Sequence, residues 1–155
     1  AKARNVVLIG ALSSAPLIDY LSYMARMAFP HWRAAFRDNE TVGMALNGLG
    51  KRDAILVLSQ APYAHRAVEA VQRAHAAGVP VVAITDSYAA PIAANAARVF
   101  VAPTDSPHFF ASAVPSLVLI ETLLSMVVRR SGAKAQERIA AVERENHRSG
   151  EYQRD

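Results

Sequence analysis

The 155-residue chain has no cysteine. That excludes disulfides and thiolate metal sites, although it does not fix the compartment. Long hydrophobic runs are missing as well. The longest, "SLVLIETLLSMVV" at 116–128, has 13 residues and an internal Glu121. A bilayer span needs about 20 apolar residues, so no membrane segment is expected. The chain opens "AKARNVVLIG", with no charged-then-apolar leader and no cleavage site, so a cytoplasmic location is expected. The first strand starts within about five residues, an abrupt beginning that suits a piece without its N-terminal part.

A basic cluster is also wanting. The net charge is +4, but 17 Lys and Arg are interleaved with 13 acids. Even residues 129–155 mix seven basic with five acidic side chains. Nucleic-acid surfaces usually show a basic stripe, so these charges read as solvated faces and this part of the chain is not expected to grip DNA. With 52% hydrophobic and 19% charged residues, the sequence is globular. Its length suits one domain, 1–155, with a single core.

Several catalytic and cofactor signatures are absent. "GALSSA" after the first strand lacks the G-x-G-x-x-G of a dinucleotide site, and no P-loop occurs. A phospho-acceptor receiver needs acids at the ends of strands 1 and 3, where Gly10 and Ser59 stand. There is no His pair at i, i+4 for a metal. Ser14, His108 and Asp86 could be drawn as a hydrolase triad, but the G-x-S-x-G elbow is missing. No cofactor, metal or catalytic set is implied.

What is present is alternation. "NVVLIG" (5–10), "WRAAF" (32–36), "AILVLS" (54–59), "PVVAIT" (80–85) and "RVFVA" (98–102) are short apolar runs that read as buried strands. Between them, 15–29 and 63–78 have the 3.6-residue period of helices. Residues 39–50 read as a helix from an Asn39 cap to a Gly50 stop, and "APIAANA" reads as a short helix. Two more helices are expected at 109–130 and 133–149, divided at Ser131–Gly132. The pattern predicts an α/β fold with a five-stranded parallel sheet, helices on both faces and order 2-1-3-4-5. In that order ligands bind at the carboxyl ends of strands 1 and 3.

The turns there are polar in part. After strand 1, Ser13 and Ser14 precede the helix and Pro16 sits in its first turn. They can hold an anion, or Ser14 can simply cap the helix. After strand 3 come Ser59, Gln60, Tyr63 and Arg66. Arg66 can supply a positive charge or be a solvated first-turn residue. Thr85, Asp86 and Ser87 follow strand 4 and can line the site or cap the next helix. A later loop, "PTDSPHFFAS", holds His108, which is an acid–base candidate near neutral pH or an ordinary exposed loop residue.

"GALSSAPLIDYLSYM", "APYAHRAVEAVQRAHAAGVPVVAITDSYAAPIAANAARVFVAPTDSPHFFAS" and "SLVLIETLLS" together resemble the sugar-isomerase (SIS) domain. More narrowly, the "PY" after strand 3, "AITDS…P" and "PTDSP.FF" resemble the effector domain of RpiR/MurR-type bacterial transcription regulators. The resemblance implies a sensor of a sugar phosphate or related small polar metabolite. It implies no enzyme activity, and DNA binding only through an N-terminal helix-turn-helix domain that this chain lacks. It also implies that hydroxyls in the first two turns grip phosphate. Ser14, Ser59 and Gln60 match that pattern, whereas Ala61, Pro62 and Ala64 stand where its next hydroxyl, glycine and later Ser or Thr belong. The alternative is a sugar-phosphate aldose–ketose isomerase. Such an enzyme needs a positioned base, and Glu121 and His108 lie where related isomerases place such groups. Glu121 is otherwise a lone acid on an apolar helix, suited to a structural hydrogen bond.

That helix also predicts a homodimer. At 100° per residue, Glu121, Thr122 and Ser125 share an arc of about 100°, and the rest of 117–128 is apolar. A helix packed only on its own sheet needs a stripe of about that width, so the surplus calls for a partner chain.

Overall fold

The structure, a computed structural model, describes residues 2–153. Strands β1 (Val6–Ile9), β2 (Trp32–Ala34), β3 (Ala54–Leu58), β4 (Val81–Thr85) and β5 (Arg98–Val101) form one parallel sheet in the order β2-β1-β3-β4-β5. The register sets Val6 beside both Trp32 and Ala54, and Ile9 beside Val57. Strands this apolar on both sides need cover on both faces. Val7, Ile9, Ile55, Val57, Val81 and Ala83 point to one face, covered by α2 (Val42–Leu46) and α3 (His65–Ala76). Val6, Leu8, Leu56, Leu58 and Ile84 point to the other, under α1 (Ala15–Ala28) and α4 (Val114–Ser131). The last helix, α5 (Ala133–Ser149), packs on α1 and α4, with Ala135 buried in that second core.

Four boundaries differ from the sequence reading. "APIAANA" is not a helix: Ala90, Ala93 and Ala96 donate to the carbonyls of Ser87, Ala90 and Ala93, a run of three-residue turns. These i→i−3 bonds are not followed by the i→i−4 bonds that propagate an α-helix. The helix expected at 39–50 shrinks to five residues capped by Thr41, whose hydroxyl accepts from Met44 N–H at 3.2 Å. Asn39 instead takes a left-handed φ of 62°, ending the turn before the helix. β2 stops at Ala34 because Phe36 is left-handed, with φ 64°. Finally, α4 begins at Val114 rather than 109, with Pro115 in its first turn. The loop before it is closed by Ser112 N–H on Thr104 O at 2.9 Å.

Two local features fix the ends of β1. At its carboxyl end, a Cβ on Gly10 would lie 2.5 Å from Ile18 Cγ1 and 2.9 Å from Ser14 O. Only glycine lets the first turn close this tightly on α1. At its amino end, the enclosed Asp53 carboxylate accepts from Arg4 Nε and Nη2 at 3.0 and 2.7 Å. It also accepts from the side chain and N–H of Asn5 and from Gly50 N–H. The Arg4 hydrogen bonds, helped by those from Gly50 and Asn5, hold this carboxyl well below the usual range, against the opposing pull of desolvation.

Candidate functional site

Because β1 and β3 are neighbours while their chains leave the sheet in opposite directions, the turns at Gly10–Ala15 and Ser59–Ala64 flank one crevice. Ser14 and Ser59 sit there, 5% and 2% exposed. Ser14 occupies the N-cap position of α1, yet its side chain caps nothing, and its φ/ψ of −82°/−14° is already helical. Capping therefore does not occupy its hydroxyl. Ser59 is held by its N–H, which donates to Ile84 O at 3.2 Å. Ser13 lies exposed in the short 3₁₀ turn Leu12–Ser14.

The second turn is already engaged with its neighbour. Asp86, at the end of β4, accepts from Ala61 N–H through Oδ2 at 3.4 Å and from the Thr85 hydroxyl through Oδ1 at 3.1 Å. Burial, then hydrogen bonding to Asp86, raises the pKa of the half-buried Tyr63 phenol above its ordinary value. A carboxylate thus sits where an anion would otherwise approach a free backbone N–H. It offers an acceptor for a ligand hydroxyl or amine and repels a second negative charge. Ser87 stands next to it, its hydroxyl accepting from Ala89 N–H at 3.1 Å.

Other expected residues are spread apart. Gln60 is held by its amide, which donates to Ala102 O at 3.2 Å and to buried Ser116 Oγ at 2.9 Å. It ties the second turn to β5 and α4. Arg66 lies over the Phe36 ring, 4.2 Å from its centroid, and donates to Glu40 O. It bridges α3 to the loop before α2, and its charge is aimed at that loop. His108 is exposed on the 103–113 loop, beside the exposed pair Phe109 and Phe110. Glu121 accepts a hydrogen bond from Tyr20 OH at 2.8 Å along the α1–α4 seam. Tyr20 is six residues past Ser14, about 9 Å along a helix axis. The sequence offers Asp86 as a site or cap residue without showing that it binds the β3 turn. The signal for it was positional: it ends β4, the strand next to β3, and so must overlook the β3 turn.

Among the described residues no group of three or more His, Asp and Glu is arranged to hold a metal ion. Nor, among them, is any helix long and apolar enough to cross a membrane.

The sheet is a doubly wound parallel one of the order 2-1-3-4-5, with serine hydroxyls in the turns at its switch point. The chain belongs to the SIS domain family, whose sequence profile matches residues 1–126. No curated protein matches at a significant level. Among solved structures, it superimposes on the sugar isomerase domain of an RpiR transcription factor from Sphaerobacter thermophilus. The TM-score is 0.84 and the identity 26%, over 92% of this chain and 80% of that one. It also matches the NanR protein of Vibrio vulnificus complexed with ManNAc-6P, with TM-score 0.80 and 20% identity over 94% of this chain. The chain spans only 56% of NanR. A third match, covering 88% of this chain and 77% of the other at TM-score 0.70 and 10% identity, is a Methanococcus jannaschii protein for which 3-hexulose-6-phosphate isomerase function was inferred. These likenesses support an effector domain of a regulator, within a family that also includes isomerases.

Proposed function

We propose that this chain is the ligand-sensing domain of a bacterial transcription regulator. In this reading it binds a sugar phosphate or a related small polar metabolite and thereby controls DNA binding by a helix-turn-helix domain joined before residue 1. It acts as a homodimer in the cytoplasm and performs no reaction. The observation that carries the reading is the crevice at the ends of β1 and β3. There the buried Ser14 caps nothing, and the buried Ser59 lies in the turn after the neighbouring strand. ManNAc-6P in NanR, and a sugar phosphate in a second structural neighbour, support a phosphosugar as the first ligand class to try. Asp86, which accepts from the second turn, favours a ligand rich in hydroxyl groups with a single anionic end.

A ketol isomerase is the second reading, and the inferred isomerase among the neighbours is what favours it. Against it stands the only acid on α4, Glu121, whose carboxylate is engaged by Tyr20. Proton transfer needs a base within hydrogen-bond reach of the substrate carbon. The experiment is calorimetric titration of the chain with ManNAc-6P, with aldopentose phosphates, and with the same sugars without phosphate. Saturable binding of at least one compound supports a sensor. Turnover of any of these compounds in an isomerase assay would replace it with the enzyme, because an enzyme binds its substrate as well.

A further inference from the structure

Basic residues that look scattered in the sequence converge on one face. Lys2, His31, Arg130, Lys134 and Arg138 line a cavity of about 670 Å³ where α1 ends, β2 begins and α4 gives way to α5. All five are exposed, and no Asp or Glu is among the described residues lining it. None of the five takes part in an ion pair among the described residues. The site lies at the amino end of the sheet, opposite the Ser14–Ser59 crevice.

Helix dipoles explain only part of this. Arg130 is in the last turn of α4, where a cation offsets the carbonyl end of the helix. Lys134 is in the first turn of α5, where a cation is unfavourable and an acid is the usual choice. That turn holds no acid, and its N-cap, Gly132, supplies no side-chain cap. The permanent positive charges of Lys2, Arg130, Lys134 and Arg138 therefore face the same space, with no ion pair to any of them among the described residues. A local rule broken without internal compensation marks a place where something outside the chain compensates.

We infer that this face binds the phosphate backbone of duplex DNA, without reading sequence. The chemistry asks for several phosphates at once, since one would not balance cations borne on the amino-terminal segment, α4 and α5 together. Lys2 lies on this face, so a segment joined before residue 1 would leave from here. The choice of duplex DNA over a small polyanion rests on the regulator reading above; the cationic face itself does not. It departs from the expectation that this part of the chain does not grip DNA.

The test titrates a fluorescent duplex of about 20 base pairs and arbitrary sequence with the 155-residue chain, following anisotropy from about 50 to 200 mM KCl. Binding is expected to weaken with a log–log salt slope of about −3 to −4, as for roughly four neutralised phosphates. Lys134→Glu with Arg138→Glu should lower that slope by about two and weaken binding about tenfold or more at the lowest salt. Arg73→Glu with Arg144→Glu makes the same charge change elsewhere and should leave the slope within about half a unit. Melting curves show that each variant is folded. No binding at the lowest salt, or equal losses in both double variants, overturns the inference. So does binding of inorganic tripolyphosphate that needs Lys134 and Arg138 while the duplex does not bind. Loss of the duplex with sugar binding intact refutes this face alone. Duplex binding without any sugar binding refutes the sensor and not this face.

Discussion

The Tyr20 hydroxyl donates to the Glu121 carboxylate at 2.8 Å, joining α1 to α4 on the exposed side of their seam. Glu121 is the residue an isomerase reading needs most, and here it fastens two helices. That hydrogen bond raises the Tyr20 pKa above its ordinary value of 10.0. A raised pKa means the bond contributes stability below pH 10 and loses it as pH climbs through the folded value. Tyr20→Phe should therefore lower the melting temperature at pH 8, and the gap to wild type should close toward pH 11. A gap independent of pH would mean the hydroxyl is not held by Glu121.

The same contact predicts the chemistry. Wild type should leave the C2 proton of ManNAc-6P and of aldopentose phosphates unexchanged in deuterated buffer, and Glu121→Gln should not differ. Exchange by the wild type that vanishes in Glu121→Gln would make the chain an enzyme and Glu121 its base.

Ser14→Ala and Ser59→Ala each remove a hydroxyl from the crevice, where both residues are nearly enclosed. A hydrogen bond to a charged group contributes about 1.5–3 kcal/mol, so affinity for a bound sugar phosphate should fall by about 10–150-fold in each. Asp86→Asn should act in the opposite sense on the phosphate, because it removes a negative charge from beside Ala61 N–H. Calorimetry on the three variants checks all of this. Unchanged affinity in both serine variants moves the site away from the switch point.

At the other end of the sheet, Asp53 predicts acid sensitivity. Its carboxyl is held well below the usual range, chiefly by hydrogen bonds from Arg4. A depressed pKa contributes stability above the unfolded value of about 3.9, lost as pH falls through the folded value. Asp53→Asn should thus lower the urea midpoint markedly at pH 7 and much less at pH 2. A deficit equal at both pH values would show that the carboxylate charge is not what matters.

The fold was legible because its signal is periodic. Five apolar runs separated by helical periods leave few topologies once crossovers are right-handed, and the order β2-β1-β3-β4-β5 is among the commonest. Residues 90–96 misled because alanine favours helix, while the chain there runs through successive i→i−3 turns that start at Ser87. The site was legible in position and much less in partners. The turns at Ser14 and Ser59 follow from strand order, but rotamers do not. Gln60 is drawn to Ser116, 56 residues away, and Arg66 to Glu40 and Phe36. No local pattern encodes such pairings. The basic face was hidden for the same reason: Lys2, His31 and Arg138 are neighbours only after folding.

The last prediction concerns α4. This 18-residue helix buries only Ser116 and Ile120 within the chain. α5 packs against it, and Ile139, Ala140 and Val142 on α5 are half-buried. Val118 and Met126 nevertheless stay 56% and 63% exposed, with Val114 at 65% on the same side. Beneath the helix, Leu123, Leu124 and Val127 line an almost wholly apolar cavity of about 280 Å³ with Trp32 and Phe100. An apolar side chain fully buried instead of exposed contributes about 1.5–3 kcal/mol, so covering Val118 and Met126 on two copies is a sizeable driving force. A two-fold dimer places the same face on both subunits, and it suits a regulator that reads a two-fold operator. Light scattering at micromolar concentration should give twice the chain mass of 16.7 kDa. Val118→Glu with Met126→Glu should give the monomer mass while circular dichroism stays native. A wild-type monomer would refute the dimer. A dimer that survives both glutamates would move the interface off α4.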